Sequence, residues 1–288
     1  MSVITNQKIN SYYDRFKDID VTYTKEILQV TGMITKQVHL KCTGDFWPCA
    51  VYSSSFTGAK VVVNHDAGLM DTLRQANNIV SLRFCFKGPG ASSPMAFFVS
   101  ARSIGFNLYN DAKDMFLCTL QFTQRPPDAL IEIMGRILEA NMNSLKRRYE
   151  RIPITNETQR KLKLFSKESA IYIQGGPRRC ILRDLSFSGV KLIMMGNAGS
   201  LVDQESVVRV DFDDPRQSCL LHGKIIRAEN VEGRQELAAL GFEFNESLVP
   251  MLYKLRINDY LSLVQADPHA AAYGEPDAVN VPAAEPAR

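Results

Sequence analysis

Apolar and polar residues along this chain follow two periods, and the places where the period changes divide it into parts. An amphipathic opening, residues 6–18, reads as a short helix. Runs with strand-like alternation or β-branched content follow at 26–30, 37–42, 50–54 and 60–63, separated by Gly, Thr and Asp turn signals. Residues 66–76 read as a helix, and 79–86, 95–101 and 115–122 as further strands. The Gly- and Pro-rich stretch 87–94 has no helix start behind it, so it reads as a hairpin loop rather than a phosphate cradle.

From Pro127 to about Arg147 the period lengthens. Ile131, Met134, Leu138, Met142 and Leu145 recur at spacings of 3, 4, 4 and 3, one face of a long helix that Pro126, Pro127 and Asp128 begin. Strand patterning then resumes at 170–174, 179–182, 189–194, 207–212, 220–228 and 237–244. Val208, Val210 and Phe212 alternate with Arg209 and Asp211, as a sheet with one buried face requires. Six short strands with few helices suggest a closed barrel, which leaves no exposed edges. Asn245 or Ser247 is the expected cap of a last helix, whose Tyr253, Ile257, Tyr260, Leu261 and Val264 form a stripe suited to plugging a barrel end. The tail 266–288, rich in Ala, Pro and Glu, reads as disordered. The expected fold is mainly β. Two small β-barrel domains, 1–125 and a six-stranded one at 147–265, are joined by a connector helix at 126–146, and the second ends in a C-terminal helix.

Composition narrows the function classes. A net charge of +3 is too small to argue by itself for nucleic acid. No apolar run approaches a membrane span and the N-terminus lacks a signal-peptide core, which suggests a cytoplasmic protein. The six cysteines are scattered with no C-x-x-C pair and read as buried, reduced core residues. The four histidines show no metal spacing; His39 and His222 sit in strand-like runs and read as packing residues. There is no nucleophile–base pair, no paired carboxylates at a plausible site and no metal cluster, so the sequence reads as a binding module rather than an enzyme.

The most informative stretch is Lys146-Arg147-Arg148-Tyr149-Glu150-Arg151, followed by Asp184-Leu185-Ser186-Phe187-Ser188-Gly189. Written as a pattern, that is R-x-x-x-R and then D-x-S-x-x-G, an order and spacing that resemble the signature of PilZ domains. The resemblance covers about residues 146–263. It implies a receptor for cyclic di-GMP, with Arg147, Arg151, Asp184, Ser186 and Gly189 at the site and Lys146 and Arg148 beside it. The whole chain resembles PlzA-like proteins, in which a PilZ-like N-terminal domain without the motif precedes a PilZ domain. Neither half of the motif occurs in residues 1–125. The Arg151-to-Asp184 spacing is long for the family, which places an expected insertion at 166–173. The family implies no catalysis. It implies instead a change of domain arrangement on ligand binding, which regulates motility or virulence through an unidentified protein partner.

The residue types suit that ligand. The guanidinium fork matches the O6 and N7 acceptors of guanine two at a time, or clamps phosphate oxygens. Guanine N1–H and its exocyclic amine are donors and need an acceptor such as the Asp184 carboxylate. Ser186 can donate to phosphate or accept from the amine, and Gly189 removes a β-carbon where the chain turns close to the ligand. In PilZ-like sites the residue before the first arginine, here Lys146, lies near a guanine face; a long cationic side chain there leaves room for a second, stacked dinucleotide. The competing reading is a basic nucleic-acid-binding regulatory protein, with Lys161, Lys163, Arg178, Arg179 and Arg183 extending the cationic patch. Aromatic residues for base stacking are few there, only Tyr149 and Phe165.

Overall fold

The computed structural model describes residues 5–64, 67–88, 90–110 and 114–266. It divides into two compact units, 1–142 and 143–288. The first contains α1 (Asn6–Phe16), β1 (Val21–Thr22), α2 (Lys25–Thr31), β2 (His39–Cys42), β3 (Asp45–Ser54), β4 (Gly58–Asn64), α3 (Ala67–Gln75), β5 (Ile79–Phe86), β6 (Met95–Asn110), β7 (Met115–Phe122) and most of α4 (Asp128–Lys146). Strands pair in the order β3-β2-β5-β6-β7-β4, and β4 pairs back on β3, so six antiparallel strands close into a barrel with β1 added outside β3. The second unit contains β8 (Ile152–Pro153), α5 (Asn156–Leu162), β9 (Glu168–Ile173), β10 (Gly176–Leu185), β11 (Gly189–Met195), β12 (Glu205–Phe212), β13 (Gln217–Val231), β14 (Arg234–Phe244) and α6 (Met251–Ala266). Its barrel order is β11-β14-β13-β12-β9-β10, closed by β10 on β11, with β8 added outside β10.

The mainly β, two-barrel fold expected from the patterning is therefore present, and all six strands expected after residue 170 appear as β9 to β14. Residues 26–30 are the exception in the first half: they are not a strand but the middle of α2. Thr24 caps this helix by accepting from the Ile27 amide, and Gly32, left-handed at φ 68°, stops it. Only Ile27 of its side chains is buried, so capping decides the segment where a short apolar run cannot. The 166–173 stretch is likewise no insertion. Most of it is β9, paired on both sides, and α5 takes up length between Arg151 and Asp184. The tail expected to be disordered lies outside the described residues beyond Ala266.

Helices plug the barrels. Tyr253, Ile257 and Leu261 of α6 join one apolar cluster with Ile171, Leu182, Leu192, Val208, Leu221 and Leu240 of the strands. Asn245 caps a single 3-10 turn at Glu246–Leu248, not α6; Val249 and Pro250 separate the two. In the first unit, Leu130, Ile131 and Met134 of α4 are buried, and Gly135 lets the Tyr12 ring of α1 lie on the helix. The Tyr12 hydroxyl then reaches Glu139 at 2.9 Å. Of the two histidines expected to pack, His39 lies against Phe46 and Phe98, whereas His222 is exposed on β13. Among the described residues no helix is long and apolar enough to cross a membrane.

All six cysteines are buried, and none forms a disulfide among the described residues. Burial pushes the thiols of Cys49 and Cys180 up to about 12 and that of Cys118 to about 11, so at neutral pH they stay protonated. Iodoacetamide at pH 8 should label these three only after denaturation; labelling at equal rates in the folded chain would contradict the packing. Gly135→Ala sets two effects against each other. Alanine gains up to about 1 kcal/mol of helix propensity. The new Cβ falls on ring atoms of a buried tyrosine, and overpacking typically costs about 1–3 kcal/mol. The expected net result in urea unfolding is destabilisation.

Candidate functional site

The candidate site is built around the hairpin joining β10 to β11. Leu182 pairs with Leu192 and Asp184 with Lys191, which leaves Arg183 as the extra residue of a β-bulge. A bulge breaks the in–out alternation of a strand. Leu182 and Leu185 face the core, while Arg183 and Asp184 both stay out of it. The short β8 lies on the same stretch: the Ile154 amide donates to the Arg183 carbonyl at 2.8 Å, and Asp184 stands opposite Pro153. That register leaves Arg151 beside Asp184, and its guanidinium donates to the Asp184 carboxylate at 2.7 Å. The same carboxylate oxygen accepts the Lys191 amide at 3.1 Å. Two residues 33 positions apart thus meet on one strand edge.

Ser186 and Gly189 close the turn between the strands. The Ser186 amide donates to the Gly189 carbonyl at 2.9 Å, and the Ser186 hydroxyl donates to that carbonyl and accepts the Gly189 amide, each at 3.1 Å. Ser186 is fully buried. Tyr253 donates its hydroxyl to the Ser186 carbonyl at 2.8 Å, and burial holds that phenol well above its ordinary pKa, so it remains a donor. A Cβ on Gly189 would collide with the Phe242 carbonyl of β14, so the close approach at this glycine is to the neighbouring strand. Both residues fix the shape of the hairpin that carries Asp184.

The remaining motif residues sit at the end of α4. Lys146 is its exposed last residue. Arg147 is held by both oxygens of Glu150, each at 2.6 Å. Arg148 pairs with Glu246 and with Glu243 at 3.4 Å, and its carbonyl accepts the Ser188 hydroxyl at 2.9 Å. The structure therefore brings Arg151, Asp184, Ser186 and Gly189 together, ties Arg148 to the same hairpin through Ser188, and pairs Arg147 within its own turn. Each of the three guanidiniums rests on a carboxylate of the chain. A phosphate arriving here exchanges one anionic partner for another, and the fork geometry that grips a carboxylate in two places also fits a phosphate.

An open depression of about 460 Å³ lies over this edge, lined by Arg151, Pro153, Arg183, Asp184, Lys191, Ile193, Val231 and Ala239. Lys191 is the addition that sequence reasoning missed, and Arg183, read from the sequence only as part of a basic patch for nucleic acid, joins this edge. Lys191 could have been found, since it falls two residues after Gly189 on the same face of a strand. Arg183 could be named as a cation but not placed beside Asp184: alternation assigns the two to opposite faces, and only the bulge brings them to one side. A second depression of about 470 Å³ in the first barrel is lined by Lys41, Cys42, Thr43, Ala76, Ile79, Val80, Ser81 and Phe98, with no guanidinium and no carboxylate. It does not match a ligand that needs both.

A six-stranded barrel with an arginine-rich segment leading into it and a D-x-S-x-x-G hairpin defines a PilZ architecture. The chain belongs to the PilZ family: the PilZN3 domain matches residues 7–141 and the PilZ domain residues 145–254. It is 41% identical over 276 residues to a protein of Treponema denticola named "Cyclic di-GMP binding protein", covering 96% of this chain and 88% of the relative. Among solved structures it is similar to the PlzA protein of Borreliella burgdorferi in complex with c-di-GMP, at 22% identity and a TM-score of 0.40, covering 88% of this chain and 98% of that one. It is also similar to YcgR of Escherichia coli in complex with c-di-GMP, at 14% identity and a TM-score of 0.26, covering 85% and 90%.

Stability separates the residues that shape the site from those that face outward. The Arg151–Asp184 pair is partly exposed, and such pairs contribute about 0–1 kcal/mol. Arg151→Ala should therefore leave the unfolding free energy within about 1 kcal/mol of the parent. Gly189→Ala must displace a strand backbone and should cost more, about 1–3 kcal/mol. Denaturant melts of the two variants make the comparison; equal losses would contradict these roles.

Proposed function

We propose that this chain is a cyclic di-GMP receptor that acts in the cytoplasm by binding, not by catalysis. The observation that carries the reading is the Arg151–Asp184 pair at 2.7 Å on the bulged edge of β10, in a chain 41% identical to a protein named for binding this ligand. Arg147 and Arg151 grip phosphate or the guanine acceptor edge, and Asp184 takes the guanine donor edge. Ser186 and Gly189 hold the hairpin in place. Arg148, Arg183 and Lys191 add positive charge around the phosphates. Lys146 lies over a base, so the site takes a stacked pair of dinucleotides. The nucleic-acid reading loses ground because only Tyr149 and Phe165 are at hand for base stacking in the basic segment.

The output follows from where the arginines stand. They continue directly from α4, whose residues up to Met142 belong to the first unit. A ligand held by this segment and β10 constrains the chain where it leaves α4, and shifts the domain arrangement by as much as its affinity differs among arrangements. Binding then changes the domain arrangement and presents a different surface to a protein partner in motility or virulence control.

Calorimetric titration of the full chain with cyclic di-GMP tests the site. A charge-assisted hydrogen bond is worth about 1.5–3 kcal/mol, so Arg147→Ala and Arg151→Ala should each weaken binding about tenfold to a hundredfold. Unchanged affinity in both folded variants rejects the assignment. The expected ratio is two ligands per chain, and a ratio of one would reject the stacked pair. On saturation, the radius of gyration should fall and residues 146–154 should gain protection from hydrogen exchange. If neither changes, the output comes from the second barrel's surface alone.

A further inference from the structure

The region of the first barrel that corresponds to the site repeats its backbone position for position, at a constant separation of 131 positions (20 to 151, 53 to 184, 58 to 189). Ser53-Ser54-Ser55-Phe56-Thr57-Gly58 stands where Asp184-Leu185-Ser186-Phe187-Ser188-Gly189 stands in the second barrel. The likeness is geometric as well. β3 carries a bulge between Val51 and Ser53, as β10 does between Leu182 and Asp184. The Ser55 amide donates to the Gly58 carbonyl at 2.9 Å, as Ser186 does to Gly189. A Cβ on Gly58 would meet the Leu120 carbonyl, just as one on Gly189 would meet that of Phe242. β1 lies on β3 with Val21 opposite Ser54 and Thr22 opposite Ser53; β8 lies on β10 in the same register.

What differs most is the charge at one corner. Arg151 is replaced by Asp20, and Asp184 by Ser53, whose hydroxyl donates to the Asp20 carboxylate at 3.3 Å. Phe16, buried, stands for Arg147. Three further cationic positions persist, Arg15 for Lys146, Lys17 for Arg148 and Lys60 for Lys191, while Tyr52 stands for Arg183. Lys60 sits 3.7 Å from Asp20, so the reversed charge also engages a cation the site would otherwise offer. A carboxylate where the phosphate clamp belongs repels a phosphodiester and has no donor to give it.

We infer that the first barrel holds a silenced copy of the site, and that Asp20 is the residue that keeps a phosphodiester ligand out of it. The inference rests on the second barrel being the cyclic di-GMP site, and the test separates the two. In the full chain, Arg151→Asp with Asp184→Ser gives the second barrel the corner of the first and should abolish binding of cyclic di-GMP. On that background, Asp20→Arg with Ser53→Asp gives the first barrel the corner of the second. Saturable binding should return, within about a hundredfold of the parent affinity, since cationic counterparts of Arg147 and Arg183 are still missing. Ser53 is buried, so Asp20→Arg alone on the same background is the second variant. Calorimetry is read beside thermal melts. Binding regained in either folded variant supports the inference. If the parent binds and neither folded variant does, Asp20 is not what silences the first barrel, and the receptor assignment stands. If the parent itself does not bind, the receptor assignment fails first.

Discussion

The hairpin closed by the Ser186 amide and hydroxyl on Gly189 is the constraint on which the candidate site depends. It joins β10 to β11, the pairing that closes the second barrel, so the turn cannot loosen without opening the barrel. Gly189 packs without a side chain against the β14 backbone, and Tyr253 ties the Ser186 carbonyl to α6. One small turn is therefore held by two strands and a helix. The bulge just before it then decides that Arg183 and Asp184 point away from the core together.

The electrostatics follow from that frame. Asp184 is fixed by the Lys191 amide and Arg151, and Arg147 and Arg148 settle on carboxylates of their own unit. These are partly exposed pairs and add little to stability. Their effect is geometric: each guanidinium fork is held in one orientation by its carboxylate. The same corner in the first barrel has a reversed charge on a retained scaffold. The two halves thus separate backbone, which both barrels keep, from chemistry, which a few side chains change.

The family motif made the candidate site readable in the sequence, because R-x-x-x-R and D-x-S-x-x-G specify chemistry through side chains. The barrel strands were readable because each needs one apolar face, and the period of two records it directly. Helix α2 was not, because a seven-residue helix with one buried side chain leaves no period to read; its Thr24 cap and Gly32 stop carry the information. The cap expected for α6 went instead to a 3-10 turn, since Asn245 marks only the nearest helical start and Pro250 lies between.

The sequence by itself determined the two-part β organisation, the long helix after the first barrel, and which charged residues form the motif. Only the tertiary structure decided how those residues meet. Pairing of β8 on β10 brings Arg151 to Asp184 across 33 positions, and a single extra residue in β10 turns Arg183 to their side. Likewise the repeat of 131 positions is faint in the letters, because few residues match between the halves. It is plain in the backbone, because hydrogen-bond register and glycine contacts survive substitution of the side chains. Side-chain identity is written locally in the chain, while register and closure depend on partners far along it, and that is why the one could be read and the other had to be seen.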